Sequence, residues 1–428
     1  MTAYLPEISL IVLLAVFVIS ALKKNPIQIG ILGFAAAFVI GRLAGIADTK
    51  IMSFFPSSLF IQIFCVLFFF SIPQANGAIN LLAQKLVARF KCGRRLMPFV
   101  LYVIGMIFGS CGIQCTALTS VYTGLAIAVA LSLKANPLLY ALAAALGGCS
   151  GGYSPVNEFS VATIKFACDS AGLPYNGVQI YILNLVAYFV AFLAVYFVLG
   201  GYKNREVCIA GVNYEAHQAQ ELAKFNYQQI VSLLGIVAII VLTVLGVNVG
   251  WAALIVGIVV ILLKADKCDE ALKRVSLPLL VLICGMGTLI NVIKELGGFD
   301  VLSNILSRIM SPVTVAPTMC LTSSVFSVFA MGRLVILTLI PTLPDILQNF
   351  PGISATLVIA GVSGAALVSS VGPLSTTGAL IMANMTQQLG EKNGTGYYTK
   401  QLLIGFLCAA VFALAYLIFT LLFGTVIG

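Results

Sequence analysis

Apolar runs of roughly 20 residues, broken by short polar loops, recur along almost the whole chain. That is the helix length needed to cross a hydrocarbon core, and it restricts the chain to folds that satisfy their own backbone in lipid. The runs are continuous rather than alternating, so they predict helices and not the strands of a barrel. Hydrophobic residues make up 61% of 428 positions and charged residues 9%. A soluble domain carries about 25% charged residues and could not cover its surface with so few. The expected fold class is therefore an all-α polytopic membrane protein.

The first run, Leu5 to Leu22, contains Glu7 in place of a basic leader, and Lys23-Lys24 follow it instead of a small-residue cleavage site. It reads as a retained span. A net charge of +9 invites a nucleic-acid reading, but the basic residues cluster in short loops between apolar runs, which is a topology signal. The eleven cysteines are scattered without a CxxC pair and read as small apolar residues. His217, the one histidine, falls in a polar loop. One histidine leaves no Cys/His zinc set and no Ser-His-Asp triad, so an enzyme is not expected.

Helices are expected over 6–22, 27–46 and 58–75, with an amphipathic piece at 77–90. An interrupted stretch covers 97–133, a broken helix 136–166 and a further helix 177–199, before a polar linker at 200–227. The second half repeats the plan with 228–247, 250–264, 275–295, an amphipathic piece at 297–310, an interrupted stretch at 312–347, a broken helix at 352–385 and a helix at 400–426. Lys23, Lys24, Lys85, Arg89, Lys91, Arg94, Arg95, Lys134, Lys203, Arg205 and the run Lys264 to Arg274 fall on one, cytoplasmic, side only if 97–133 and 312–347 are re-entrant hairpins. Each half then has about five spans and one hairpin, residues 1–199 and 228–428 are oppositely oriented, and both termini lie outside. Lys50 and Arg308 are exceptions. The sequon-like Asn393-Gly394-Thr395 falls in a cytoplasmic loop.

Gly77-Ala78-Ile79-Asn80-Leu81-Leu82 matches Gly297-Gly298-Phe299-Asp300-Val301-Leu302 about 220 residues later. A weak repeat of inverted topology is the mark of a secondary transporter, with its site where broken helices meet at the midplane. Four breaks occur at corresponding places: Gly109 to Thr116, Gly147 to Asn157, Ser327 to Arg333 and Ser369 to Gly378. Glycine, proline and hydroxyl residues there free backbone amides and carbonyls suited to anions and Na⁺. Small residues also pack helices closely, and one such cluster alone would favour that reading. Four in register favour a site.

These residues resemble the ion-transporter superfamily, which includes the divalent-anion:sodium symporters. The stretch from about Phe55 to Pro174 is similar to MatC-type malonate/dicarboxylate carriers, through Phe55-Pro56-Ser57-Ser58-Leu59-Phe60, Gln74-Ala75-Asn76-Gly77, Asn136-Pro137-Leu138-Leu139 and Gly152-Tyr153-Ser154-Pro155. In the second half Ser375-Thr376-Thr377-Gly378-Ala379-Leu380 and Ala383-Asn384 are similar to the same family. The resemblance implies a homodimeric inverted-repeat carrier with an elevator motion of a transport domain against a scaffold (helices within 1–95 in the first half). It further implies Ser-Asn-Thr-like hairpin tips and Thr-Pro-Pro-Asn-like broken helices that bind Na⁺ and substrate carboxylate. Gln114-Cys115-Thr116 stands at the first tip, Ser154-Pro155-Val156-Asn157 at the first broken helix and Ser375-Thr376-Thr377-Gly378 at the second. The second tip departs from the pattern: Ala330-Met331-Gly332 lies beside Arg333, which counts against a Na⁺ site of the usual kind in that half.

A mid-membrane arginine costs about 2.5–3.5 kcal/mol on insertion scales, so Arg333 needs a reason to be there. It can clamp a substrate carboxylate, replace a bound Na⁺ as a fixed cation, or pair structurally with Glu158. Glu158 is then either a proton-coupling carboxylate or that partner. Lys165 is expected to snorkel, and Arg42, Lys294 and Glu295 to be interfacial.

The sequence thus predicts a secondary carrier of a small organic anion in the plasma (inner) membrane. A di- or monocarboxylate of the malonate or C4 type, driven by Na⁺ or H⁺, is the first choice. Gluconate, citrate or sulfate carriage or exchange is the alternative, and a membrane enzyme or assembly factor a more distant one. Expected substrate contacts are Gln114, Cys115, Thr116, Gly332, Arg333, Ser154, Asn157, Thr376 and Thr377. Coupling-ion contacts are Ser154, Asn157, Glu158 and Ser375, with Na⁺ near Gln114, Ser154 and Asn157.

Overall fold

A computed structural model describes residues 4–21, 27–90, 92–203, 223–308, 310–329, 332–373, 375–390, 393–394 and 396–423. Leu22, Lys23, Lys24, Lys91, Arg205, His217, Ala330, Met331, Leu374 and Thr395, each named above, lie outside them, as does the side chain of Thr376. Every regular element among the described residues is helical.

The first half runs α1 (Leu5–Ala21), α2 (Ile29–Leu43), α3 (Asp48–Ser53), α4 (Ser57–Ala75), α5 (Ala78–Arg89), α6 (Met97–Ser110), α7 (Cys115–Ser132), α8 (Pro137–Gly151), a π-helical turn (Ser160–Lys165) leading into α9 (Phe166–Ala171), and α10 (Gly177–Val198). The second runs α11 (Tyr227–Val244), α12 (Val249–Leu262), α13 (Cys268–Lys273), α14 (Leu277–Glu295), α15 (Gly298–Ser307), α16 (Val315–Phe329), α17 (Gly332–Leu339), α18 (Leu343–Asn349), α19 (Ala355–Val368), α20 (Thr376–Leu389) and α21 (Tyr398–Phe423). The order repeats, down to the short helices α3 and α13, whose six residues each carry too weak a periodicity to be read from sequence.

The matched hexapeptides do the same thing in both halves. Gly77 and Gly297 take φ of +74° and +75°, a left-handed conformation that costs a Cβ-bearing residue about 1–2 kcal/mol. They bend α4 from α5 by 62° and α14 from α15 by 77°. Both interrupted stretches contain two main helices where described. α6 and α7 form a helical hairpin turned at Gly112, whose φ is +97°. α16 and α17 flank the second interruption.

Helices α1–α5 pack with α11–α15, and α6–α10 with α16–α21. Within the first group the halves are interleaved, α2 against α14 and α4 against α12. Contact between the groups includes α17 on α14, and the π turn on α4.

Two details differ from the sequence reading. Three described helices are long and apolar enough to cross a membrane, or five if each bent pair counts as one span. Seven others are apolar helices of 10–17 residues, because hydropathy continues through breaks and turns where the helix does not. Second, Gly147, Gly148 and Gly151 belong to α8 and not to the break. A Cβ on Gly147 would lie 2.1 Å from the Tyr102 carbonyl oxygen, and one on Gly151 2.3 Å from that of Met106. These glycines let α8 lie against α6 backbone to backbone, so the packing explanation holds for them and the opening begins only at Gly152.

Candidate functional site

The opening between α8 and the π turn exposes backbone that must be satisfied from elsewhere. Asn157 does this. Its Nδ2 donates to the Gly109 carbonyl at 2.7 Å and the Ile113 carbonyl at 3.3 Å, while its Oδ1 accepts from the Phe159 amide at 2.9 Å. One carboxamide therefore fastens the tip of the α6–α7 hairpin to the first break. Ser154 accepts from the Val156 amide at 3.3 Å, closing the turn locally. Tyr153 donates to the Ser363 carbonyl at 2.9 Å and meets the Tyr188 hydroxyl at 3.1 Å, tying the break to α19 and α10.

Glu158 follows directly, buried at 2% exposure, and forms an ion pair with Arg333 of α17, itself 11% exposed. The pairing is bidentate: Nη1 donates to Oε2 at 3.0 Å and Nη2 to Oε1. Nη1 also donates to Thr163 Oγ1 at 3.1 Å, and the guanidinium carbon stands 5.0 Å above the Phe159 ring. Arg333 is thus held by three residues of the other half, all within six positions of one another. A low-dielectric setting makes such a pair strong and makes either partner alone costly. Gly332 beside it is forced small, since a Cβ there would lie 2.7 Å from the Ala366 carbonyl oxygen on α19.

At the first hairpin tip, Gln114 and Gly112 line a small cavity with Glu158. Cys115 opens α7 with its Sγ 2.9 Å from Cys149 Sγ of α8, and Thr116 is half-buried one residue further on. At the second break Ser375 caps α20, accepting from the Gly378 amide at 3.1 Å and donating to the Gly372 carbonyl at 2.9 Å. Thr377 is buried in the first turn of α20. The structure therefore joins Gln114, Asn157, Glu158 and Arg333 around one hairpin tip. Ser154 and Ser375 serve the local geometry of their own breaks.

Thr163, Phe159 and Gln401 were not anticipated. Gln401 on α21 is fully buried, and its Nε2 donates to the Val371 carbonyl at 2.7 Å and the Gly378 carbonyl at 3.0 Å, spanning the second break. A buried carboxamide within an apolar 26-residue helix was a readable signal for Gln401. Phe159 and Thr163 follow Glu158 in sequence, but nothing in their identity marks them as Arg333 partners. The outlying charges pair at the protein surface: Lys50 meets Glu295 at 2.5 Å, Arg42 meets Asp48 at 3.4 Å, and Lys294 donates to the Ser170 carbonyl.

Two helix breaks, one of them beside a buried ion pair, in an all-helical membrane fold point to a solute transporter and not an enzyme. Two stretches of the chain are similar to carrier families. Residues 1–152 match the family model described as the dicarboxylate carrier protein MatC N-terminus, and residues 236–427 match the citrate transporter model. Among solved structures, the chain is similar to the YdaH transporter of Alcanivorax borkumensis, with a TM-score of 0.63, 12% identity, and 92% of this chain and 97% of that one covered. It is also similar to MtrF of Neisseria gonorrhoeae, described within a class of antimetabolite efflux pumps, with a TM-score of 0.67, 14% identity, and 99% and 96% covered. At such identities the likeness is one of fold. No curated protein matches.

Proposed function

We propose that this carrier moves a small organic anion, a di- or monocarboxylate of the malonate or C4 type, and couples it to a proton through Glu158. The observation that carries the reading is the buried bidentate Arg333–Glu158 pair beside the Gln114 hairpin tip. A substrate carboxylate has the same shape and charge as the Glu158 head group and competes for the same guanidinium edge. Protonated Glu158 is a weak partner and yields Arg333, while ionised Glu158 reclaims it. The buried site then stays near neutrality in both states, as a low-dielectric setting requires. Arg333 is in this reading both structural and substrate-binding, in alternation.

A dicarboxylate brings a second charge, and a Na⁺ near Gln114, Ser154 and Asn157 would balance it. Cys115, Thr116, Gly332, Thr376 and Thr377 would complete the substrate contacts, and Ser375 the cation's. The repeated element order and the interleaved packing of α2, α4, α12 and α14 support two halves of inverted topology, with re-entrant hairpins at 97–133 and 312–347. The two packed groups of helices correspond to a scaffold and a moving domain in a homodimeric elevator carrier of the plasma membrane, its termini outside.

Citrate is the second reading, favoured by the citrate transporter match over residues 236–427. Uptake of radiolabelled malonate, succinate and citrate into proteoliposomes, with wild type, Arg333→Ala and Arg333→Lys, tests both. Arg333→Ala should lose uptake of every carboxylate and Arg333→Lys should bind more weakly. Wild-type affinity in both variants would remove Arg333 from the site.

A further inference from the structure

The small cavity that holds Glu158 and Gln114 has a volume of about 50 Å³, enough for about three waters at ~10–15 Å³ each. Its far wall is scaffold: Ser71 of α4, and Arg274 and Ser276 from the turn between α13 and α14. On the other side of that turn lies an open cleft of about 630 Å³, lined by Lys264, Lys267, Asp266, Glu270, Asn76 and again Arg274. Among the described residues, Arg274 alone lines both.

The chemistry of the two sides differs. The cleft carries three cations against two carboxylates, and Glu270 is itself offset by Lys273 at 3.0 Å. Lys273 holds the Glu270 carboxyl below its usual range, so that charge is fixed. Arg274 donates from Nη1 to Asp266 Oδ2 at 2.5 Å, but its side chain is 36% exposed and Asp266 14%. With Arg274 about a third exposed, solvent screens this pair from one side and weakens it relative to a pair buried on both sides. The Arg333–Glu158 pair, deep in the protein, is the opposite case.

We propose that the cleft at Lys264, Lys267 and Arg274 is an anion vestibule for the buried site, and that Arg274, resting on Asp266, is the residue that admits a carboxylate from one to the other. This rests on the carboxylate-carrier reading for the identity of the anion, though not for its charge. A basic cleft raises the local concentration of anions. Arg274 then offers them a replaceable partner, as the one residue among those described that lines both the cleft and the inner cavity. It is a positioning and selecting residue, distinct from the Arg333 clamp.

The test uses a thiol on the inner wall. Ser71 is 6% exposed and donates to the Phe68 carbonyl at 2.8 Å, so Ser71→Cys is a near-isosteric reporter. It is placed in the full chain with the one exposed thiol among the described residues removed by Cys268→Ser, and read against that parent. Labelling by a sulfonate-bearing methanethiosulfonate should exceed that by a trimethylammonium-bearing one by about five- to tenfold. Arg274→Gln should abolish the preference, and Asp266→Asn should raise the anionic rate. An unchanged preference in Arg274→Gln, or no labelling by either reagent, overturns the proposal. In parallel, Arg274→Gln should raise the KM for carboxylate uptake about tenfold and leave the maximal rate unchanged. If wild type transports no carboxylate while the labelling preference still depends on Arg274, the substrate class is wrong and the vestibule stands for another anion.

Discussion

In the first half the broken segment after α8 carries a carboxylate, Glu158, and the hairpin tip beside it is neutral. In the second half the broken segment before α20 is neutral and α17, after the second interruption, carries Arg333. Each half also pins its break with a carboxamide, but Asn157 belongs to the break itself while Gln401 reaches in from α21. Two copies of one architecture have thus been given complementary chemistry. The repeat supplies the openings, and the divergence between copies supplies a cation and an anion that meet across the protein.

The largest effect on that comparison should come from Arg333→Ala. It leaves Glu158 buried and unpaired, which costs about 3–5 kcal/mol, so melting in detergent should fall steeply together with uptake. Adding Glu158→Gln should recover most of the melting temperature but none of the transport. A stable Arg333→Ala single variant would show that the pair does not hold the halves together.

Next come the two carboxamides. Asn157→Ala and Gln401→Ala each remove two hydrogen bonds to backbone carbonyls, and each should cost about 1–3 kcal/mol. The comparison sharpens in transport assays. Asn157→Ala loosens a hairpin tip next to Glu158 and should impair uptake more than its stability loss explains, whereas equal uptake defects would make the two breaks equivalent. Gly77→Ala and Gly297→Ala should each cost about 1–2 kcal/mol and match one another closely, because both sit at the same left-handed φ. Unequal losses would mean the bends are not doing the same job. The smallest effect belongs to Lys50→Ala. It breaks an exposed pair with Glu295 and should shift stability by less than about 1 kcal/mol.

Much of this was legible before any coordinates. Apolar run length pointed to the helices, and the Gly77 and Gly297 hexapeptides marked the repeat. Arg333 was conspicuous because an arginine has no cheap place in an apolar stretch, and Glu158 was its natural partner for the same reason. What resisted reading was anything set by contact across the repeat. Thr163 and Phe159 lie about 170 residues from Arg333, and no local pattern announces the pairing. The glycines of α8 misled in the other direction. Gly147 and Gly151 look like a helix break, but α6 lies so close that only glycine fits, a fact invisible without the neighbouring helix. Arg274 read as one more loop cation until the cavities on its two sides were seen.

The central claim is that a substrate carboxylate and Glu158 alternate on Arg333, with a proton settling which one holds it. The most direct measurement is uptake of radiolabelled C3–C4 dicarboxylates and citrate into proteoliposomes under imposed pH or Na⁺ gradients, comparing wild type with Glu158→Gln. Wild type should show saturable uptake that an inward proton gradient accelerates. Glu158→Gln should still bind the anion but lose that acceleration. Saturable uptake in Glu158→Gln that responds to the proton gradient as in wild type, or no saturable transport of any carboxylate by wild type, would contradict the account.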